Sequence, residues 1–239
     1  MNFGYMGAKI SGDTLAVAGM YDASNQRTIT NGTSASTNTS RSKSGSAFVF
    51  KRSGSSWVQE AYIKASNAAN DDRFGSGLDL DGDTLAVWAS KEDSNQTTIT
   101  NGTTSSSNNS NSSSGAVYVY KRTGSSWAQE AYIKAANNQA GDLFGYPILD
   151  NDTLAVSARY EDSNQTTITN GTSASSNNSS ENSGAVYVYK RTGSTWAQEA
   201  YIKPSNSDAG DGFGGSVSIS GNLMAVGATG EDSNQVTIT

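Results

Sequence analysis

Residues 115–134 read Gly-Ala-Val-Tyr-Val-Tyr-Lys-Arg-Thr-Gly-Ser-Ser-Trp-Ala-Gln-Glu-Ala-Tyr-Ile-Lys. Valine and tyrosine alternate from Val117 to Tyr120, a polar turn carries Gly124, and Trp127 opens a second segment. Period-two alternation of β-branched and aromatic residues on both sides of a Gly-bearing turn predicts a β-hairpin. A helix over the eight residues from Trp127, bounded by Gly and Asn, would be marginal. The same stretch recurs at 184–203, and at 45–64 with Phe48 and Phe50 in place of the tyrosines. Strict alternation along its second strand puts Trp57, Ala61 and Ile63 on one face and Val58, Glu60, Tyr62 and Lys64 on the other.

Each copy lies within a longer unit. Phe-Gly pairs stand at Phe3-Gly4, Phe74-Gly75, Phe144-Gly145 and Phe213-Gly214, spaced by 71, 70 and 69 residues. After each pair comes a short alternating segment such as Leu78-Asp79-Leu80, then a tight turn at Gly12-Asp13, Gly82-Asp83, Asn151-Asp152 or Gly221-Asn222. Such pairs suit the positive φ angles of a two-residue hairpin loop. Thr84-Leu85-Ala86-Val87 and its equivalents follow as a second strand. The predicted architecture is therefore all-β. It consists of tandem four-stranded antiparallel blades of a β-propeller-like repeat protein, about 3.5 units as numbered: 1–73, 74–143, 144–212, and the first two strands of a fourth over 213–239. Four short strands cannot bury both faces alone, so each blade must stack on the next.

Between the second and third strands lie 25 residues in every full copy: 20–44, 90–114 and 159–183. Loops of this length are commonly functional. Each opens on an acidic motif, Glu92-Asp93-Ser94-Asn95, Glu161-Asp162-Ser163-Asn164 and Glu231-Asp232-Ser233-Asn234, with Asp22 to Asn25 in the first copy. The acidic and amide side chains suit two roles. They can bond their own backbone and shape the loop, or they can offer oxygen ligands to a hard cation, with Asp93, Asp162 and Asp232 as the Ca²⁺ candidates. Glu92, Asp93, Asn95, Glu161, Asp162, Asn164, Glu231, Asp232 and Asn234 are the candidate binding residues of this loop. Thr-Ile-Thr-Asn-Gly-Thr follows and predicts a short extra strand with an Asn-Gly turn. Asn31, Asn101, Asn108, Asn170 and Asn177 head Asn-x-Ser/Thr triplets and are candidate glycosylation sites. Trp57, Trp127 and Trp196 recur in phase, which predicts packing between blades; Trp88 has no aromatic counterpart and suits either a local gap or an interface.

The composition excludes several classes of function. The net charge is −6 with basic residues dispersed, which argues against nucleic acid as a partner. With no Cys there is neither a disulfide nor a thiolate metal site, and with no His the commonest general base is missing. No apolar run approaches the roughly 18 residues of a spanning helix. Charged residues make up only 16% of the chain while Ser, Thr, Asn and Gly abound, a surface suited to an outer or secreted protein.

The order Asp-x-Phe-Gly, Gly-Asp-Thr-Leu-Ala-Val-x-Ala, Glu-Asp-Ser-Asn, Ser-Gly-Ala-Val-Tyr-Val-Tyr and Trp-x-Gln-Glu-Ala-Tyr-Ile-Lys resembles the bacterial branch of the FG-GAP repeat family, related to the β-propeller repeats of integrin α-chains. The resemblance implies that the Phe-Gly pairs and the Ala-Val-x-Ala segments lock successive strands of a blade. It also implies an extracellular or cell-surface location and a non-enzymatic structural or adhesive role, a filament included. Partners would be other copies, further repeats of a longer chain, glycans or matrix proteins. A lectin-like glycan- or protein-binding propeller is the alternative. A polysaccharide-active enzyme using Asp93 and Asp162 is the third reading. The calcium loops of integrin-like repeats lie between the first two strands, where this chain has a two-residue turn.

Overall fold

The computed structural model describes Gly4 and residues 7–234; Phe3 of the first Phe-Gly pair and the last five residues lie outside this range. The first unit holds β1 (Ala8–Ser11), β2 (Thr14–Ala18), β3 (Thr30–Asn31), β4 (Ala47–Ser53) and β5 (Ser56–Ile63). The second repeats them as β6 (Phe74–Asp81), β7 (Thr84–Ala89), β8 (Thr100–Asn101), β9 (Ala116–Thr123) and β10 (Ser126–Ile133). The third has β11 (Gly145–Asp150), β12 (Thr153–Ala158), β13 (Thr169–Asn170), β14 (Ala185–Thr192) and β15 (Thr195–Ile202), and the fourth β16 (Phe213–Ser220) and β17 (Leu223–Ala228). Each complete unit is an antiparallel sheet ordered first, second, third, fourth strand, with the short loop strand added outside the fourth. The expected four-stranded blade thus gains a fifth strand: Thr30 and Asn31 pair with Tyr62 and Ala61 and cover the outer edge.

The sheets stack in chain order. Their first strands pack against one another along one side, while the fourth strands meet at few points. Consecutive turns are tied there: Ser11 Oγ accepts from Gly82 N, Asp81 from Asn151 N, and Asp150 from Gly221 N. The Phe-Gly pair works in two directions. Phe74 pairs with Ala89 within its own blade, and its N–H donates to Ser44 O of the preceding one. Gly45 faces Phe74 so closely that a Cβ would lie 1.9 Å from Phe74 O; Gly115 and Gly184 meet Phe144 and Phe213 likewise. Glycine is required at these three sites, where φ is also +82°.

Two apolar cores fill the spaces between sheets. Phe74 meets Tyr118 edge-on at 5.4 Å, and Phe144 meets Tyr187 at 5.2 Å. Burying each such ring contributes about 1.5–3 kcal/mol. Trp127 and Tyr132 face the preceding unit, whereas Ala131 and Ile133 face the following one. Strict alternation along the fourth strand therefore fails: Trp57, Ala61 and Ile63 do not share a face. The cause is a β-bulge. Gln129 pairs with Tyr120 and Ala131 with Val119, which leaves Glu130 as the extra residue, and Glu60 and Glu199 are extra at the same place. One inserted residue inverts the facing of everything beyond it.

Trp88 fills a local gap. A Cβ on Gly145 would lie 1.7 Å from its indole, and it meets Tyr146 edge-on at 6.3 Å. The third unit's first strand opens on a register shift at this place, with Tyr146 at φ 58°.

Candidate binding face

The acidic motifs start where the second strand ends, and their two acids diverge. Glu92 turns inward to 1% exposure. One of its oxygens accepts from Tyr132 Oη at 2.8 Å and Asn67 Nδ2 at 2.9 Å; the other accepts from Lys134 Nζ at 2.8 Å and Ser94 N at 3.1 Å. Lys134 is itself sealed, and also donates to Ser114 Oγ at 2.8 Å and Gly115 O at 2.5 Å. Glu161 repeats the set with Tyr201, Asn137 and Lys203. In the first unit Asp22 accepts from Tyr62 and Ser24, and its shorter arm leaves Lys64 Nζ 3.8 Å away. Burial lowers the lysine pKa values in all three units, Lys64 to about 8, with the neighbouring acids acting in the opposite direction.

The second acid faces outward. Asp93 Oδ1 accepts from Ser113 N at 2.7 Å and Asp162 Oδ1 from Asn182 N at 2.8 Å, closing the far end of each loop. Asn95 and Asn164 are exposed. In the fourth unit Glu231, Asp232 and Asn234 are all exposed, and Glu231 accepts from Asn206 Nδ2 and Ser233 N. Among the described residues no three acidic or other metal-ligating side chains converge, so Asp93, Asp162 and Asp232 have no co-ligands of that kind.

The rest of the loop is held by its neighbours. Gln96 Nε2 reaches Thr98 O and Thr100 Oγ1, and Gln129 Nε2 reaches Gly102 O and Thr104 O. The connection from the preceding unit joins the same face, since Asn67 Nδ2 also donates to Ser106 O and Asn137 Nδ2 to Ser175 O. Beneath this connection Asp72 and Asp142 are buried, which raises both pKa values to about 7; backbone N–H groups of Ala69 and Gln139 oppose the rise, and the nearby acids of the motif reinforce it.

The candidate glycosylation residues fall into two groups. Asn108 and Asn177 are exposed on the Ser/Asn tract, and their Oδ1 atoms accept from Ser110 and Ser179. Asn31 and Asn101 instead clamp the next unit. Asn31 Oδ1 accepts from Trp127 N at 2.8 Å and its Nδ2 donates to Trp127 O at 3.2 Å, and Asn101 does the same for Trp196. Asn170 occupies the equivalent place in the third unit, and all three residues are exposed.

Between adjacent loops run two equivalent grooves of about 320 and 380 Å³. Ile29, Asn31, Lys64, Tyr120, Trp127 and Gln129 line the first; Ile99, Asn101, Lys134, Tyr189, Trp196 and Gln198 line the second. Tyr189 Oη is buried there without a protein partner. Of these only the Asn pair stood among the sequence candidates. The in-phase recurrence of Thr-Ile-Thr with Trp-x-Gln was the signal for the others, and their meeting across a unit boundary was not legible in it.

A family model for the FG-GAP repeat matches residues 57–120, 127–189 and 196–237. The chain belongs to the FG-GAP repeat family. The matched segments start at Trp57, Trp127 and Trp196, so each spans the junction between a fourth strand and the next unit's first three strands or their beginning. No curated protein matches the chain.

Proposed function

We propose that this FG-GAP module is a non-enzymatic structural or adhesive element of the cell surface or of an extracellular fibre, and that the face carrying the 25-residue loops is its contact surface. The observation that carries this reading is the sealed Glu92–Lys134–Tyr132–Asn67 set and its repeat at Glu161. It pins the root of each loop inside the protein, so the Ser/Thr/Asn tips stand at fixed spacing on one side. Repeated weak polar contacts at fixed spacing act together as one multivalent surface. Asp93, Asn95, Asp162, Asn164, Asp232 and Asn234 supply its polar groups together with the exposed Glu231; Glu92 and Glu161 are its roots, and Asn108 and Asn177 are the best placed for glycan attachment. The test is a panel of glycans and matrix proteins probed with the wild-type chain and with a variant whose tract 104–110 is replaced by Gly/Ser of equal length. Binding that the variant loses supports the reading, and a wild-type chain blank against the whole panel while controls bind counts against it.

A lectin-like function is the second reading, favoured by the two grooves of about 320 and 380 Å³ with amide, hydroxyl and aromatic linings. Gln129→Ala and Gln198→Ala should then weaken sugar binding while the tract variant leaves it intact. A polysaccharide-active site at Asp93 and Asp162 has least support, because each carboxylate already caps a backbone N–H of its own loop.

A further inference from the structure

We infer that the second of the two grooves, between the loop of the second unit and β15 of the third, is a binding site for one uncharged sugar residue, whereas in the first groove the matching polar groups are already taken. This inference rests on the lectin-like reading and narrows it from two grooves to one. Both grooves are built by the same repeat, so the positions at which they differ decide what each leaves free. In the first, Gln129 Nε2 is tied to Gly102 O and Thr104 O, which fixes the amide, and its Oε1 accepts from Ser66 Oγ at 2.9 Å. Ser66 Oγ lies 2.7 Å from Ser105 Oγ, so the connection and the loop are clasped together there. Arg27 lies along the same groove and donates from Nε to Ala68 O at 3.0 Å. Tyr120 Oη stands 3.5 Å from Lys64 O.

The second groove keeps the glutamine and lacks its partners. Gln198 Nε2 is tied to Gly171 O at 3.1 Å and Ser173 O at 2.9 Å, the same hold as on Gln129. Ala136 and Ala174 stand where the first groove has Ser66 and Ser105, and Thr97 stands where it has Arg27. The clasp and the spanning arginine are therefore both missing. Among the described residues Gln198 Oε1 accepts no hydrogen bond, and Tyr189 Oη, in a fully buried side chain, has no protein partner. Tyr189 and Gln198 are direct partners across β14 and β15, so their side chains stand side by side on one face of the sheet, and both line the groove. Ile99 and Ala174 pack on the core beneath. Lys134 is the one charged residue among those lining the groove, and its Nζ is turned away to Glu92, Ser114 and Gly115.

A buried hydroxyl and a buried amide oxygen without partners cost free energy that a ligand bringing one acceptor and one donor recovers. Neighbouring hydroxyls of a sugar ring bring that combination: one donates to Gln198 Oε1, the other accepts from Tyr189 Oη, and the apolar lining meets the ring's C–H groups. An acidic sugar would give up the hydration of its carboxylate and find no free cation in the groove, so uncharged sugars are selected. At about 380 Å³ the groove stands at the small end of ligand pockets, roughly 300–1,000 Å³, which suits a single residue rather than a chain.

The experiment titrates the full chain with glucose, galactose and mannose, with glucuronate as the charged comparator, by calorimetry and ligand-observed NMR. At least one uncharged sugar should bind saturably at one site per chain, and glucuronate on the order of tenfold more weakly or not at all. Two variants copy residues that the repeat itself already carries. Tyr189→Phe removes only the hydroxyl, and Phe50 holds that position in the first unit, opposite Leu15 as Tyr189 is opposite Leu154. Ala136→Ser with Ala174→Ser installs the first groove's clasp. Each should weaken binding by about tenfold or more with an unchanged melting curve. The reverse graft, Ser66→Ala and Ser105→Ala with Arg27→Thr, should open the first groove and raise the stoichiometry to two. A wild type with two equivalent sites, or sugar binding that Tyr189→Phe and the serine pair leave unchanged, keeps the lectin-like reading and overturns the narrowing. Glucuronate bound as tightly as glucose overturns the selection for uncharged sugars. If none of the sugars binds, the groove holds water only, and this inference falls together with the reading on which it rests.

Discussion

Replacing Glu92 with Ala tests whether the acidic motif roots the loop. The substitution removes the acceptor for four donors and leaves the Lys134 ammonium sealed with only Ser114 Oγ and Gly115 O. Breaking one side of a buried ion pair costs about 3–5 kcal/mol, because the other charge stays desolvated and unpaired. Stranding Asn67 Nδ2 and Tyr132 Oη adds to this, but the groups share one network and their losses do not sum. For a chain of this length, roughly 3–5 kcal/mol corresponds to a fall in Tm of about 10–15 °C. Calorimetry and circular dichroism at pH 7.5 would measure it. The double variant Glu92→Ala, Lys134→Met sharpens the test: it removes the buried charge together with its partner and should recover much of the loss. Asp22→Ala should cost less, since Lys64 stands 3.8 Å from that carboxylate. The reasoning is refuted if Glu92→Ala melts within 2 °C of the wild type, or if the double variant is no more stable than the single one.

Asn101→Ala removes both hydrogen bonds to the Trp196 backbone and should destabilise the junction of units two and three by about 1–3 kcal/mol in urea denaturation, while Asn170→Ala should leave stability within about 0.5 kcal/mol. Asp72 and Asp142 have folded pKa values raised from 3.8 to about 7, so the folded state binds more protons than the unfolded one between these values. Their contribution is full below the unfolded pKa and lost as pH rises through 7; Tm should therefore climb as pH falls from 7.5 to 5, and Asp72→Asn should flatten that slope. Added Ca²⁺ or a chelator should leave the melting curve unchanged, because Asp93 and Asp162 are each engaged by a loop N–H and no three ligating side chains converge among the described residues. A rise in Tm with Ca²⁺ would support the cation reading of Asp93, Asp162 and Asp232.

What is local and what recurs was legible in the order of residues alone. Alternation in Val117–Tyr120, the Gly82-Asp83 turn and the Phe-Gly spacing were enough for strands, hairpins and family. The features that stacking creates lie where chains of contact leave one unit for another. Glu130 looks like one more residue of an alternating strand, yet it is a bulge that turns its carboxylate to Trp196 and Arg191, and the faces beyond it invert. Glu92 looks like a surface acid beside Asp93, yet Lys134 lies 42 residues on and Asn67 25 residues back, and only stacking brings them together to seal it. Asn101 carries a glycosylation triplet, but its amide is spent on Trp196, 95 residues away. Periodicity encodes which side of its own sheet a residue takes. It does not encode the bulge that inverts that choice, nor which atoms of the next sheet it will meet.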